Sequence, residues 1–520
     1  MRKSFLHRVI NVLAAAMLSV QSIAAFGVPS ATMFSNGALP SFLSGAAGGY
    51  RNNGSGAFNN VGSNGNFWVA GPNSPSNGRN LNFNSGNVNP LNNNNRANGF
   101  SVRPVQAFIH RHSFRFFYSD VQLTKAKLHE LLTDAYLEAR KNERNKTSQL
   151  RFEIESERKI NVLTDEIWNR TYVVLPPECF IITEPTVREV FAPRFRDRVV
   201  SHLLFGMLYP FFERTFVYDT YSCRLGKGTL VGIDRFEHNI RSVTDNYRYE
   251  AFILNLDISG YFMHIVKEIL YDYIHSEIEK RRHDWTHRGS HERWEDIIDF
   301  DLVDFLLRAQ LFRDPVKNCT ILGSPSDWDP LPANKSMFNM PPGVGLTIGD
   351  VMSQLYSNIY LNPFDQYLKR ELHCRYTNRY VDDGRILSRD YAFLEEVKLA
   401  SAQFLKERLQ LTLHPNKTTI TSTRDTNGFL GAAIKPFRRY ADNKTVARFH
   451  RFVAGCEMGM ARWPDVDFNG WHSTFNSYLG YFSHFNEWKM LDRTLRASPV
   501  RYVFDFNQEY TKATFKPLFV

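Results

Sequence analysis

Arg379-Tyr380-Val381-Asp382-Asp383-Gly384-Arg385-Ile386-Leu387 sets two adjacent carboxylates between two short β-forming runs. The pattern predicts a β-hairpin with Asp382 and Asp383 at its tip. Neighbouring carboxylates repel and raise each other's pKa unless a cation neutralises both. A solvated acidic turn is the simplest alternative, and a third carboxylate weighs against it. Asp257 closes the apolar run Phe252-Ile253-Leu254-Asn255-Leu256, which reads as a buried strand. Two strands that deliver Asp257 and the Asp382-Asp383 pair to one sheet edge would suit two Mg²⁺ ions, or Mn²⁺ in their place, for in-line phosphoryl transfer.

The 520-residue chain is long enough for two or three domains. Its 63 Lys and Arg against 53 Asp and Glu give a net charge of +10, which favours a polyanionic partner, nucleic acid or an anionic membrane. The 42 Phe predict a large aromatic core with some rings free to stack on bases. Cys179, Cys223, Cys319, Cys374 and Cys456 show neither CxxC nor Cys/His spacing, which argues against a zinc site or a disulfide framework and for a reducing compartment.

Residues 1–27 resemble a secretory signal peptide, with Arg2, Lys3 and Arg8 before Val12-Leu13-Ala14-Ala15-Ala16-Met17-Leu18. Eighteen of residues 51–100 are Asn, a composition that predicts irregular or disordered chain over the first hundred residues. Within it, Gly65-Asn66-Phe67-Trp68, Arg79-Asn80-Leu81-Asn82-Phe83-Asn84 and Gly99-Phe100-Ser101-Val102-Arg103 resemble the end of a C-type-lectin-type ligand-binding domain.

Composition becomes ordinary from Val105. Leu123 to Lys146 carries helical periodicity and a basic tail, and Tyr172 to Pro177 and Phe180 to Thr183 read as strands. Arg188, Arg194, Arg196 and Arg198 form a basic cluster, and Cys223-Arg224-Leu225-Gly226-Lys227-Gly228-Thr229 is a Gly-rich turn with two cations but no Walker spacing. Gly345 to Leu355 leads from a Gly-containing turn into an apolar helix. His283, His287 and His291 are spaced for one helix face, but Gly289 and Ser290 interrupt them, so a solvated loop is expected.

Taken in order, these pieces resemble a reverse transcriptase over roughly residues 165 to 440: the Asp257 strand with an aromatic five residues on, Gly349-xxx-Ser353-Gln354, Tyr380-x-Asp382-Asp383, a Lys-bearing segment at Lys417, and Phe429-Leu430-Gly431. Ile348-Gly349-xxx-Ser353-Gln354 resembles the variant in reverse transcriptases of diversity-generating retroelements, which copy a template-repeat RNA and mutate at its adenines. The resemblance implies an α/β (α+β) right-hand polymerase, with an N-terminal helix and fingers over 105–250, a palm of antiparallel sheet plus helices over 251–440, and a helical thumb over 441–520. It also offers a meaning for residues 28–104. Asn codons are adenine-rich, so this lectin-like segment is expected to be a translated template repeat, with fusion to a secreted binding domain as the rival reading.

The resemblance assigns roles residue by residue. Asp257 and Asp382 would hold the metals, with Asp383 in support and the Ile258 carbonyl as a further ligand; Lys417 would assist pyrophosphate departure. Phe262 would block a ribose 2′ hydroxyl. Arg194, Arg196, Arg198, Arg224 and Lys227 are candidate contacts to triphosphate or template, undivided by the sequence. Ile348, Gly349, Ser353 and Gln354 would line the pocket, and Phe429, Leu430 and Gly431 would form the primer grip. Implied partners are template RNA, a DNA or RNA primer and its hybrid, dNTPs and an accessory variability protein. No membrane is expected, and a cytoplasmic location follows. Another bacterial reverse transcriptase and a secreted lectin-like binding protein are the alternatives.

Overall fold

The computed structural model describes residues 123–517 apart from 142, 145, 184–185, 289 and 461–465, together with the backbone of six strands between residues 48 and 100. Two units divide the chain, Met1–Ser113 and Phe114–Val520. In the first, Gly48–Arg51 pairs with Phe58–Val61 and Gly99–Phe100, and Asn77–Asn84 pairs with Asn64–Pro72 and Asn87–Asn95, all antiparallel. The signal-like segment 1–27 lies outside the described residues, as does the rest of the stretch expected to be irregular.

The second unit is a mixed α/β structure of helices and antiparallel sheets. It opens with α1 (Lys125–Ala139), capped by the Thr124 side chain on Lys127 N, then α2 (Thr147–Glu153) and α3 (Ser156–Trp168). Tyr172 to Pro177, expected as a strand, belongs to none. A hairpin follows, β1 (Glu178–Ile182) and β2 (Arg188–Ala192), and then α4 (Phe195–Glu213), which is apolar on nearly all sides and therefore buried on nearly all sides. Next come α5 (Thr229–Thr244), β3 (Phe252–Leu256), α6 (Lys267–Arg281), α7 (Trp294–Ile297), α8 (Phe300–Leu311) and β4 (Thr320–Ile321), which adds in parallel to β1. Helix α9 (Val351–Arg370) is capped by Asp350 on Met352 N.

The site depends on one four-stranded antiparallel sheet. Its strands are β5 (Tyr376–Tyr380), β6 (Asp383–Ser388), β3 and β7 (Thr419–Ser422), in the order β5-β6-β3-β7, with α10 (Tyr391–Leu409) between β6 and β7 in sequence. A three-stranded sheet, β8 (Asn427–Phe429), β9 (Ala432–Lys435) and β10 (Arg438–Ala441), leads to α11 (Asn443–Met460), α12 (Phe468–Phe482) and α13 (Trp488–Arg496). The four-stranded sheet lies within residues 251–440, the β1–β2 hairpin within 105–250, and α11–α13 within 441–520. One addition was unforeseen: β11 (Phe504–Phe506) and β12 (Ala513–Phe515) form a hairpin. It shares a separate core with the C-terminal helices, built on Phe449, Phe475, Phe482 and Phe504.

One buried cation weakens the main core. Lys267, 6% exposed, donates to the Arg313 carbonyl at 2.9 Å, and burial lowers its pKa to about 8. The folded state therefore binds fewer protons than the unfolded chain between pH 8 and 10.5, so this group's contribution to stability rises with pH across that window. Lys267→Met is expected to stabilise the chain at pH 7 by about 1–2 kcal/mol and to flatten that rise. Urea unfolding of both proteins at pH 7 and 9.5 checks it.

Candidate active site

Strand register brings the three carboxylates together. Residues Gly384 and Leu256 are paired across β6 and β3, and Arg385 pairs with Asn255. Continuing that register past the strand ends sets Asp257 opposite Asp383 and Ile258 opposite Asp382. On its other side, Ile258 is bridged to Leu413, through bonds from Ser259 N to Thr412 O (2.9 Å) and from His414 N to Asp257 O (2.8 Å). In this pairing the N–H and C=O of Ile258 itself point away from Leu413, toward the acidic turn.

The turn is tight. Tyr380 pairs with Asp383, leaving only Val381 and Asp382 between strands, and Val381 has φ +57°. Burial pushes the Asp382 carboxyl up to about 6, and the charges of Asp257 and Asp383 add to the shift. Asp383 is also raised by burial, against the opposing pull of Arg385, with which it is ion-paired. Lys417 Nζ sits 3.3 and 3.2 Å from the two Asp257 oxygens. Two protein cations thus compensate two of the three carboxylates. Among the described residues no group of three or more His, Cys, Asp or Glu side chains is placed to hold a metal ion. Open, all-oxygen sites of one or two carboxylates completed by substrate phosphates are the usual pattern for Mg²⁺, and the donor set here fits it.

Phe262 follows Gly260 (φ +55°) in a short 3₁₀ turn, half-buried, its ring edge-on to Tyr261 at 5.5 Å. It packs against a cluster that includes Phe191 of β2 and Met337, and Ile348 packs against the same cluster. Strand β2 also explains Gly349. Its φ is +121°, and a Cβ there would lie 3.0 Å from a Val190 methyl and 3.2 Å from the Phe191 carbonyl, while Phe191 N donates to Ile348 O at 3.0 Å. Ser353 is buried behind this contact, in a cavity it shares with Phe191, Asp197 and Tyr356, and Gln354, one residue on, is exposed.

The basic candidates separate. Arg194 pairs with Glu178, Arg196 with Glu166 at 2.6 Å, and Arg198 with Glu143 at 2.6 Å. Arg224, 9% exposed, spends its guanidinium on Glu213, Val217 O and Thr220. All four are therefore ion-paired within the protein. Lys227 donates to Tyr218 O at 2.7 Å and lies 3.3 Å over the exposed Tyr218 ring. Arg188 is different. Exposed at the start of β2, it donates to Thr186 Oγ1 at 3.2 Å and makes no ion pair among the described residues. In sequence it is one of four arginines in the same basic cluster.

Phe429 is 2% exposed and packs on Phe236 at 5.0 Å. Leu430 (φ +53°) and Gly431 (φ +83°) form the turn that it anchors. Arg385 joins this turn to the acidic one, since it pairs with Asp383, donates to Gly428 O at 3.1 Å and lies 5.3 Å over the Phe429 ring. Neither residue type nor spacing marks out Arg385, or the buried pair of Arg379 and Asp365 beside the turn. His283 contacts Glu295 at 2.7 Å in the segment after α6. Among the described residues no helix is long and apolar enough to cross a membrane.

No family model and no curated protein matches the chain. Among solved structures, telomerase from Candida albicans with a TWJ fragment of telomeric RNA is similar at 11% identity and a TM-score of 0.36, covering 65% of this chain and 61% of that one. Apo telomerase from Candida tropicalis is similar at 11% identity and a TM-score of 0.37, covering 60% and 53%. The chain thus spans less than two thirds of either structure. Likeness at this level carries no functional argument, which rests on the site itself.

Proposed function

We propose that the chain is an RNA-directed DNA polymerase, of the kind that diversifies a variable protein gene by copying a template-repeat RNA. The observation that carries this reading is the β6–β3 register, which brings Asp257 to the Asp382-Asp383 turn beside a half-buried Phe262. Asp257 and Asp382 would hold two Mg²⁺ ions, with Asp383 and the Ile258 carbonyl in support. Bound there, the ions would supply charge neutralisation at the primer 3′ oxygen and the triphosphate. Asp382, whose charge is costly in its buried turn, gains most from a cation. Lys417, held on Asp257, stands ready to meet the departing pyrophosphate and give it a proton. Phe262 closes the sugar side of the pocket, and the turn at Leu430 and Gly431 supports the primer end.

Arg188 replaces the three tied arginines as the fingers contact to the triphosphate. Arg188→Ala is expected to raise KM for dNTP about 10-fold with kcat changed less, measured by steady-state extension. Equal loss in Arg196→Ala without unfolding would reverse that assignment.

The finer reading rests on Ile348. This aliphatic side chain packs in the same cluster as Phe262, and it offers the nascent base pair no hydrogen bond. A loosely held pair gives a route to error opposite adenine. Sequencing cDNA made by the purified chain tests it: errors concentrated at template adenines support the diversity-generating class, and uniform fidelity points to another bacterial reverse transcriptase. Residues 28–104 are proposed as a translated template repeat, which requires adenine-rich codons there and a near-identical repeat close by.

A further inference from the structure

We infer that Arg379 and Asp365 are positioning residues that set the conformation of the Val381-Asp382 turn, an inference that rests on the polymerase reading and extends it. Arg379 lies in β5 with its side chain 6% exposed, and Asp365 lies in α9 at 4%. A buried guanidinium is costly unless every nitrogen is used. Here Nε donates to Asp365 at 2.8 and 3.0 Å, and Nη2 donates to Oδ2 at 2.6 Å. The remaining nitrogen, Nη1, donates to the Val381 carbonyl at 2.8 Å.

That last bond reaches a strained place. Val381 is β-branched and sits at φ +57°, a left-handed conformation such residues rarely adopt and that surroundings must impose. The carbonyl held by Arg379 belongs to the peptide that leads directly into Asp382. Asp365 is in turn fixed by its helix. On the same face of α9, Asn358 donates to Ser222 O at 2.8 Å, Asn362 donates to Thr215 Oγ1 at 3.0 Å, and Lys369 reaches Asp219 at 3.3 Å. A rigid path therefore runs from α9 through Asp365 and Arg379 to the backbone of the carboxylate proposed to hold metal.

A pair that served only folding would be replaceable by apolar side chains of similar volume. A positioning pair would not, because no apolar group can hold the Val381 carbonyl. Lysine fails too, since one ammonium cannot present a planar fork to Asp365 and a third donor to the turn. The test uses the full chain as Arg379→Lys, Asp365→Asn and the double variant Arg379→Met with Asp365→Leu. Mn²⁺ binding is read by the loss of the free-ion electron paramagnetic resonance signal, alongside thermal melting and the Mg²⁺ dependence of primer extension. The folded variants are expected to bind Mn²⁺ about 10-fold more weakly and to need about 10-fold more Mg²⁺, with KM for dNTP at saturating Mg²⁺ nearly unchanged. Wild-type Mn²⁺ affinity in any folded variant lacking the Val381 bond would overturn the inference, as would unfolding of all three. If the wild-type chain extends no primer yet the variants weaken Mn²⁺ binding, the polymerase reading fails and the positioning role stands.

Discussion

Asp382→Asn is expected to slow nucleotide addition on the order of 10³-fold while leaving the chain folded and about 1 kcal/mol more stable. The two effects have one origin. Asp382 occupies a two-residue turn where burial and the charges of Asp257 and Asp383 all disfavour its ionised form. Without a bound cation this charge is a liability to the fold, and an amide of the same shape removes it. In the proposed polymerase the same oxygens would serve as the ligand to the cation. Thermal melting and single-nucleotide extension on one preparation check both halves. A variant that loses activity through unfolding would show that the carboxylate is structural.

Phe262→Ala is expected to lower discrimination against ribonucleotides by about 100-fold, with addition of dNTP reduced only several-fold. The half-buried ring meets Tyr261 edge-on and packs against the cluster of Phe191 and Met337. In the proposed site its removal would open space beside the sugar without altering the carboxylates. Because the ring is only partly buried, the stability cost should be about 2 kcal/mol, below that of a fully buried Phe. Competition between dCTP and CTP opposite a template G measures the change. Unaltered selectivity would return Phe262 to a packing role.

The acidic turn and its third carboxylate were legible because both rest on local signals. Asp382 and Asp383 break a β-forming run, Asp257 ends one, and the four-stranded sheet joins them as that pattern demands. The arginines were not legible in the same way. Arg194, Arg196 and Arg198 look like a cationic face until α4 is seen to begin at Phe195, which turns each of them onto a carboxylate from a distant segment. Arg188 differs from them only by its place at the exposed start of a strand. Ser353 and Gln354 share a motif yet face opposite ways, because one helical step separates the buried side of α9 from solvent. Arg385, Arg379 and Asp365 act through contacts made across strands and from a helix, and such pairings leave no mark in spacing. The C-terminal hairpin at Phe504 to Phe515 escaped notice because strands of three residues are too short to display a period.

Primer extension by the purified chain on an annealed RNA template, with the four dNTPs and Mg²⁺, tests the assignment most directly when wild type and Asp382→Asn are run side by side. The account predicts template-length cDNA from the wild type, lost on chelation, restored by Mg²⁺ or Mn²⁺, and absent from the variant. A folded wild-type chain that extends no primer on RNA with either metal, or an Asp382→Asn chain that extends as well as wild type, would contradict it.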